Sequence, residues 1–330
     1  MSNGKLKSVR EVFSSHRELS VALILVLEIM IFFLIIREPG RPHTFLNVGN
    51  FTMILKYSGI YGIAAIGASM IIISGGIDLA PGAVIALTTV VTGHLFVQSN
   101  LPLPVAAGLG LLVGAGSGLM AAFLITAIKL PPFIATLGVM GMGRGLAFII
   151  TQGGFYDLST KIPEHFGLLG IPIEFWPGVL MVALAIVFHL FTVYTRWGRQ
   201  VYAVGGNETA AYFSGVKVKR IKLMVYLCGG LFASLSGVIL SIVHGQGRAD
   251  VANGYELDII AASVVGGASL SGGKGSVLGA VIGSMIFGVL RNGLSQITGL
   301  TFYERMIVGV VVVAIVILDQ LTARKEAKTI

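Results

Sequence analysis

Apolar residues in this chain come in runs about as long as a bilayer is thick, separated by short polar segments. A helix needs about 20 predominantly apolar residues to cross the hydrocarbon core. On that criterion spans are expected near residues 19–36, 52–73, 78–97, 103–127, 131–151, 174–194, 223–243, 257–270, 275–293 and 302–319. The run at 257–270 is too short for a lipid-exposed helix, so it is expected to be broken or re-entrant and covered by its neighbours, the setting in which irregular backbone is tolerated at membrane depth. The run at 78–97 follows Gly75, Gly76 and Ile77, begins at Asp78 and contains Pro81 and Gly82, which predicts a second discontinuity. The pattern therefore predicts an all-α polytopic membrane protein of about ten spans. One membrane domain is expected over 19–319, between an N-terminal segment (1–18) and a C-terminal tail (320–330), with its longest polar loop at 195–222.

The placement of Lys and Arg gives the orientation. With the N-terminus inside, fifteen of them fall in inside segments, against four in outside loops: Arg37, Arg41, Lys161 and Arg248. Cytoplasmic loops carry the excess of basic residues, so both termini are expected in the cytoplasm. Lys5, Lys7, Arg10 and Arg17 precede the first run as they would in a signal peptide. That run has nearly the length of a full span and no small-residue cleavage site follows it, so it reads as a retained first helix.

Composition narrows the class further. The chain is 55% hydrophobic and 12% charged, roughly half the charged fraction of a soluble domain. Its 45 glycines lie inside the apolar runs, which suits membrane helices packed through small residues. A net charge of +8 does not indicate nucleic acid, because the charges sit mainly at the ends of apolar runs. The lone cysteine, Cys228, excludes a disulfide framework or a cysteine metal site, and the six histidines are scattered with no metal-ligand spacing.

The segment Gly75–Gly82 matches Gly266–Gly273 at both leading glycines, the leucine and the closing glycine. Gly-interrupted segments at corresponding places in two halves of a transporter mark its pathway. The stretch from Gly267 to Lys274 has the outline of a phosphate loop, but an extra glycine precedes the lysine and Gly275 replaces the Ser or Thr that would hold magnesium. Nucleotide binding by this chain is therefore not expected. In the loop 195–222, Asn207 is placed to N-cap a short helix, Glu208 suits the positive end of its dipole, and Gly215 stops it. That capped helix is either a docking knob or an ordinary basic connector.

Four stretches carry a family resemblance: Gly75-Gly-Ile-Asp-Leu-Ala-Pro-Gly82, Leu130-Pro-Pro-Phe-Ile-Ala-Thr-Leu-Gly138 with Gly143-Arg-Gly145, Gly198-Arg-Gln-Val-Tyr-Ala-Val-Gly-Gly-Asn207, and the glycine-rich run from Glu256 to Gly275 that continues to Gly279. In this order they resemble the ribose-type monosaccharide permeases of ABC importers. One departure is Ala80-Pro81, where many members read Ser-Val; the lost hydroxyl weakens any solute-binding role at position 80. The resemblance implies a helical fold akin to the vitamin B12 permease, in the bacterial inner membrane, paired with itself or a sister subunit around a central pore. It implies an extracytoplasmic binding protein that delivers a sugar-like solute. It also implies cytoplasmic ATPase subunits, which hold the ATP and magnesium and grip Asn207, Glu208, Thr209, Ala210, Ala211, Tyr212 and Gly215. No cofactor or metal is expected in this chain. An ion-coupled secondary transporter, or a permease for autoinducer-2, a nucleoside or a branched-chain amino acid, is the alternative.

Charges within membrane segments are costly and face protein or water; with the echoed Gly-interrupted segments, this gives a candidate pathway of Asp78, Gly82, Arg144, Glu256, Asp258, Gly266 and Gly267. Asp78 either lines the pathway or caps its segment. Arg144 sits among glycines, where pairing within the protein is the expectation. Glu256 and Asp258 either line an entrance or cap the short eighth run. The outside basic residues Arg37, Arg41, Lys161 and Arg248 are candidates to meet acidic residues of the binding protein. Phe133, Phe148, Phe155, Tyr156 and Trp176 are expected to serve packing or the membrane interface before sugar stacking.

Overall fold

The computed structural model describes residues 17–36, 45–162, 167, 168, 170–304, 306–314 and 317. Its helices are α1 (Arg17–Ile35), α2 (Val48–Ile73), α3 (Pro81–Gly93), α4 (Leu103–Thr126), α5 (Pro132–Thr151), α6 (Trp176–Tyr194), α7 (Arg196–Gly206), α8 (Glu208–Phe213), α9 (Val218–His244), α10 (Tyr255–Val265) and α11 (Val277–Gln296). Residues 306–314 are helical again. Eight helices among the described residues are long and apolar enough to cross a membrane, and they coincide with the first seven expected runs and the ninth. The protein is a polytopic, all-α membrane protein.

Both expected interruptions are present. Residues 74–80 are non-helical and α3 starts only at Pro81, whose ring suits the first helical position. The eighth run forms α10, 11 residues long, followed by a non-helical stretch to Ser276. The last run, 302–319, falls partly outside the described residues.

The core is α2, every residue of which from Ser58 to Ile73 is buried, with α6, α9, α10 and α11 packed around it. In lipid the helices gain little by hiding apolar area from one another, so close backbone approach decides the packing. A Cβ on Gly114 would overlap the Gly230 carbonyl, and one on Gly118 the Tyr226 carbonyl, which is how α4 meets α9. Gly266 and Gly279 face each other in the same way between α10 and α11. Outward residues of α4, α5 and α6 such as Leu112, Ile149 and Val187 are exposed and apolar, as a lipid-facing surface requires.

The bundle has two dissimilar ends. One carries α7, α8 and the turns at 74–80 and 266–276. The other carries four short strands: β1 (Phe155–Asp157) pairs antiparallel with β4 (Gln246–Arg248), and β2 (Gly167–Leu168) with β3 (Ile171–Pro172). At this sheet end α3 loosens into a π-turn over His94–Gln98, where the His94 ring lies 3.1 Å from the Tyr156 hydroxyl.

Candidate functional site

At the first end, two helices occupy the polar loop. The Thr195 side chain caps α7 by accepting from the Gly198 amide at 3.1 Å. Asn207 caps α8 by accepting from the Ala210 amide at 2.9 Å, and α8 ends where Gly215 takes a left-handed φ of 83°, as expected from glycine's freedom there. Glu208 reaches across to Lys222 at the base of α9, 2.6 Å away. Ala211 is buried, whereas Tyr212 and Phe213 are 66% and 81% exposed, so the free face of α8 is aromatic. Thr209 and Ala210 are also exposed.

The C-terminal turn of α7 lies against both interrupted segments. A Cβ on Gly205 would overlap the Ile73 carbonyl, and one on Gly272 would press on Gly75 and on the Gly205 carbonyl. The Gly273 amide donates to that same Ile73 carbonyl at 2.8 Å. The Tyr202 hydroxyl donates to the Gly275 carbonyl at 2.9 Å. The two echoed runs therefore meet each other and α7 at one point, with no side chain between Gly75, Gly205 and Gly272. The Gly75 turn continues to Tyr226, whose hydroxyl donates to the Ile77 carbonyl at 3.3 Å. Asp78 is buried and accepts from the Ala80 amide at 2.8 Å, leaving a void of only about 10 Å³ beside it. It thus turns the chain into α3.

Other predicted pathway residues gather towards the sheet end. Gly82 of α3 is closed over by the Glu256 carboxylate and the Ala252 carbonyl, which a Cβ would overlap. Arg144 reaches from α5 to the same turn and donates to the carbonyls of Ala249 and Val251 at 2.8 and 2.6 Å. Gly82, Arg144 and Glu256 are therefore neighbours around residues 249–252. Asp258 lies apart, bonded at 2.7 Å to Arg291 of α11, which also binds Glu304 at 2.7 Å. Neither Glu256 nor Asp258 caps α10, whose N-cap is Gly254 without a side-chain bond. Gly266 serves the α10–α11 contact, and Gly267 has a left-handed φ of 95°. Beside Asp258, a cavity of about 820 Å³ opens between α2, α10, α11 and Glu304, Val308, Gly309, Val312 and Val313.

Residues 50–316 match the family model described as branched-chain amino acid transport system / permease component. The chain belongs to this permease family. The permease is similar to the ribose import permease protein of Bacillus subtilis (strain 168), 38% identical over 88% of this chain and 90% of that one. A probable ABC transporter permease protein of Escherichia coli (strain K12) is 34% identical over 98% and 96%. The D-allose transport system permease protein of the same strain is 33% identical over 86% and 87%. No solved structure matches the permease.

The described basic candidates of the sheet end, Lys161 and Arg248, are engaged within the permease. Lys161 binds the carbonyls of Phe96 and Val97, both at 3.1 Å, and the Asn100 side chain. Arg248 forms a two-point bond with Asp250 at 2.9 and 2.7 Å, and that bond holds the Asp250 carboxyl below its usual range. Arg37 and Arg41 lie outside the described residues. Reading the sequence missed Tyr202, Gly205 and α7 itself, although Thr195 was a cap signal and Trp197, Val201 and Val204 share a helical face. It also missed Glu304 as the second partner of Arg291.

Proposed function

We propose that this permease is the membrane-spanning subunit of a bacterial ABC importer and carries a monosaccharide or sugar-like solute across the inner membrane. The observation that carries the reading is the rigid path from α8 through Gly205 to both interrupted segments. A soluble ATPase pressing on Tyr212 and Phe213 would move backbone against backbone, with no flexible side chain to absorb the push. The sugar assignment is supported by likeness to permeases named for ribose and allose. ATP and magnesium belong to the partner subunits, and a binding protein delivers solute at the sheet end, where Arg248, Lys161, Arg37 and Arg41 are its candidate contacts.

In this reading about ten spans run with both termini in the cytoplasm, in a fold akin to the vitamin B12 permease. A second permease subunit packs alongside. Gly138, Gly141 and Gly145 form an open stripe on α5, with nothing within 4 Å of a Cβ at any of them, which supports close helix pairing there.

The test reconstitutes the permease with its ATPase and binding protein in liposomes and follows uptake of labelled D-ribose, D-allose, D-fructose and leucine. Uptake of a sugar that needs hydrolysable ATP and survives an ionophore is expected. Uptake without ATP that collapses when ion gradients are removed would establish a secondary transporter instead. Leucine as the transported solute would remove the sugar.

A further inference from the structure

We propose that the cavity at the sheet end is a binding site within this chain for an uncharged, polyhydroxylated solute, a station between the binding protein and the passage. The proposal rests on the sugar reading above and says where the sugar sits. The volume of about 820 Å³ lies within the ~300–1,000 Å³ typical of small-molecule sites. Asp258, Arg291, Asn292, Ser295 and Glu304 give the lining its polar groups, with Tyr57, Tyr61 and Tyr255 beside them and Val308, Val312 and Val313 completing it. The Tyr61 and Tyr255 rings lie 4.4 Å apart, and Arg291 sits 5.7 Å over Tyr61. A pyranose or furanose has the matching pair of surfaces: a C–H face for the rings and a hydroxyl rim for the carboxylates.

The charge arrangement selects within that class. Asp258 and Glu304 each place one oxygen on the same guanidinium, through Oδ2 and Oε1. Each carboxylate keeps a second oxygen that can accept from a sugar hydroxyl. The guanidinium is bonded on two sides and is not free to form the two-point clamp that arginine offers phosphate. Among the described lining residues, two carboxylates against one guanidinium give a formal charge of −1, which disfavours a phosphorylated or carboxylated solute.

Gly309 supplies the test, because it lines the cavity and a Cβ there meets nothing within 4 Å. Gly309→Trp should plug the cavity and lower uptake of the transported sugar by about tenfold or more. Gly108→Trp, at an equally open glycine on α4, should transport as the parent does. A second measurement needs no plug. In a Cys228→Ser background, Ser295→Cys is labelled with an impermeant maleimide, using purified permease in nanodiscs without the binding protein. The transported sugar should slow labelling by about tenfold at saturation, and its phosphate ester should not.

Equal protection by the phosphate ester would overturn the uncharged class. An unprotected thiol, or normal uptake through Gly309→Trp, would overturn the site while leaving the importer reading intact. If no sugar in the panel is transported, both fall together, and the uptake assay alone reveals it.

Discussion

The two ends of this permease are organised by opposite means. At the α8 end Gly75, Gly205, Gly272 and Gly273 bring three backbone segments into contact around the Ile73 carbonyl. At the sheet end Arg144, Asp258, Arg291 and Glu304 hold elements together through charge. Backbone contacts transmit displacement because packed atoms have nowhere to yield. Charged side chains can exchange partners, water or solute hydroxyls without a change of fold. The end that would receive a mechanical push is thus built stiff, and the end that would receive a solute is built with replaceable bonds.

The largest effect should come from breaking the charge cluster on one side only. Arg291→Met leaves Asp258 and Glu304 without their cation, and such uncompensated buried charge costs about 3–5 kcal/mol. Partial exposure of the arginine puts the expectation at the lower end, read as loss of thermal stability of the purified permease. If the comparison holds, adding Asp258→Asn and Glu304→Gln recovers most of that stability. Gly205→Ala ranks next. It overpacks the meeting point and should cost about 1–3 kcal/mol, and no charge change elsewhere rescues it. Uptake should fall while binding-protein docking persists. A variant with parental uptake would show that the glycine contact transmits nothing.

Tyr202→Phe removes one hydrogen bond, worth about 1 kcal/mol. Its informative readout is sugar transported per ATP hydrolysed, which should drop with α7 still folded. The smallest effect belongs to Glu208→Gln. The pair with Lys222 is exposed on the Glu208 side and contributes about 0.2–1 kcal/mol at most. Its loss should be detectable at low salt and vanish near 1 M, where screening removes such pairs. A Glu208→Gln defect that persists in high salt would mean that the carboxylate touches the ATPase directly.

Much of the stiff end was legible in the sequence, because its signals are local. Asn207 and Gly215 bracket α8, and paired glycines with Pro81 mark a chain that cannot continue as helix. What was not legible is that Gly75, Gly205 and Gly272 share one point, since nothing in a glycine names its partner. α7 was hidden for a related reason: 195–222 reads as one polar loop, yet Gly205 and Gly206 form the closely docked last turn of a helix within it. At the sheet end, Asp258 was recognisable as a costly charge, but its pairing with Arg291 spans 33 positions. Arg144 is satisfied within the protein, but on backbone carbonyls, partners that no residue type announces. The inward side of Ala211 and outward side of Phe213 follow from how α8 is rolled, which six residues of sequence do not specify.

One junction separates the exposed aromatic face of α8 from the glycine seat of α7. Asn207 closes α7 through its amide, donating to the Ala203 carbonyl at 3.1 Å, and opens α8 through its side chain. Its extended backbone, φ −159° and ψ 103°, sets the bend between them. In the proposed importer, recognition and motion would thereby be divided between neighbouring pieces of chain. The aromatic face of α8 can be exchanged for another while the glycine seat of α7 is kept unchanged. Grafting a foreign α8 after Asn207 should therefore redirect this permease to a different ATPase and leave its own passage, and what passes through it, as they were.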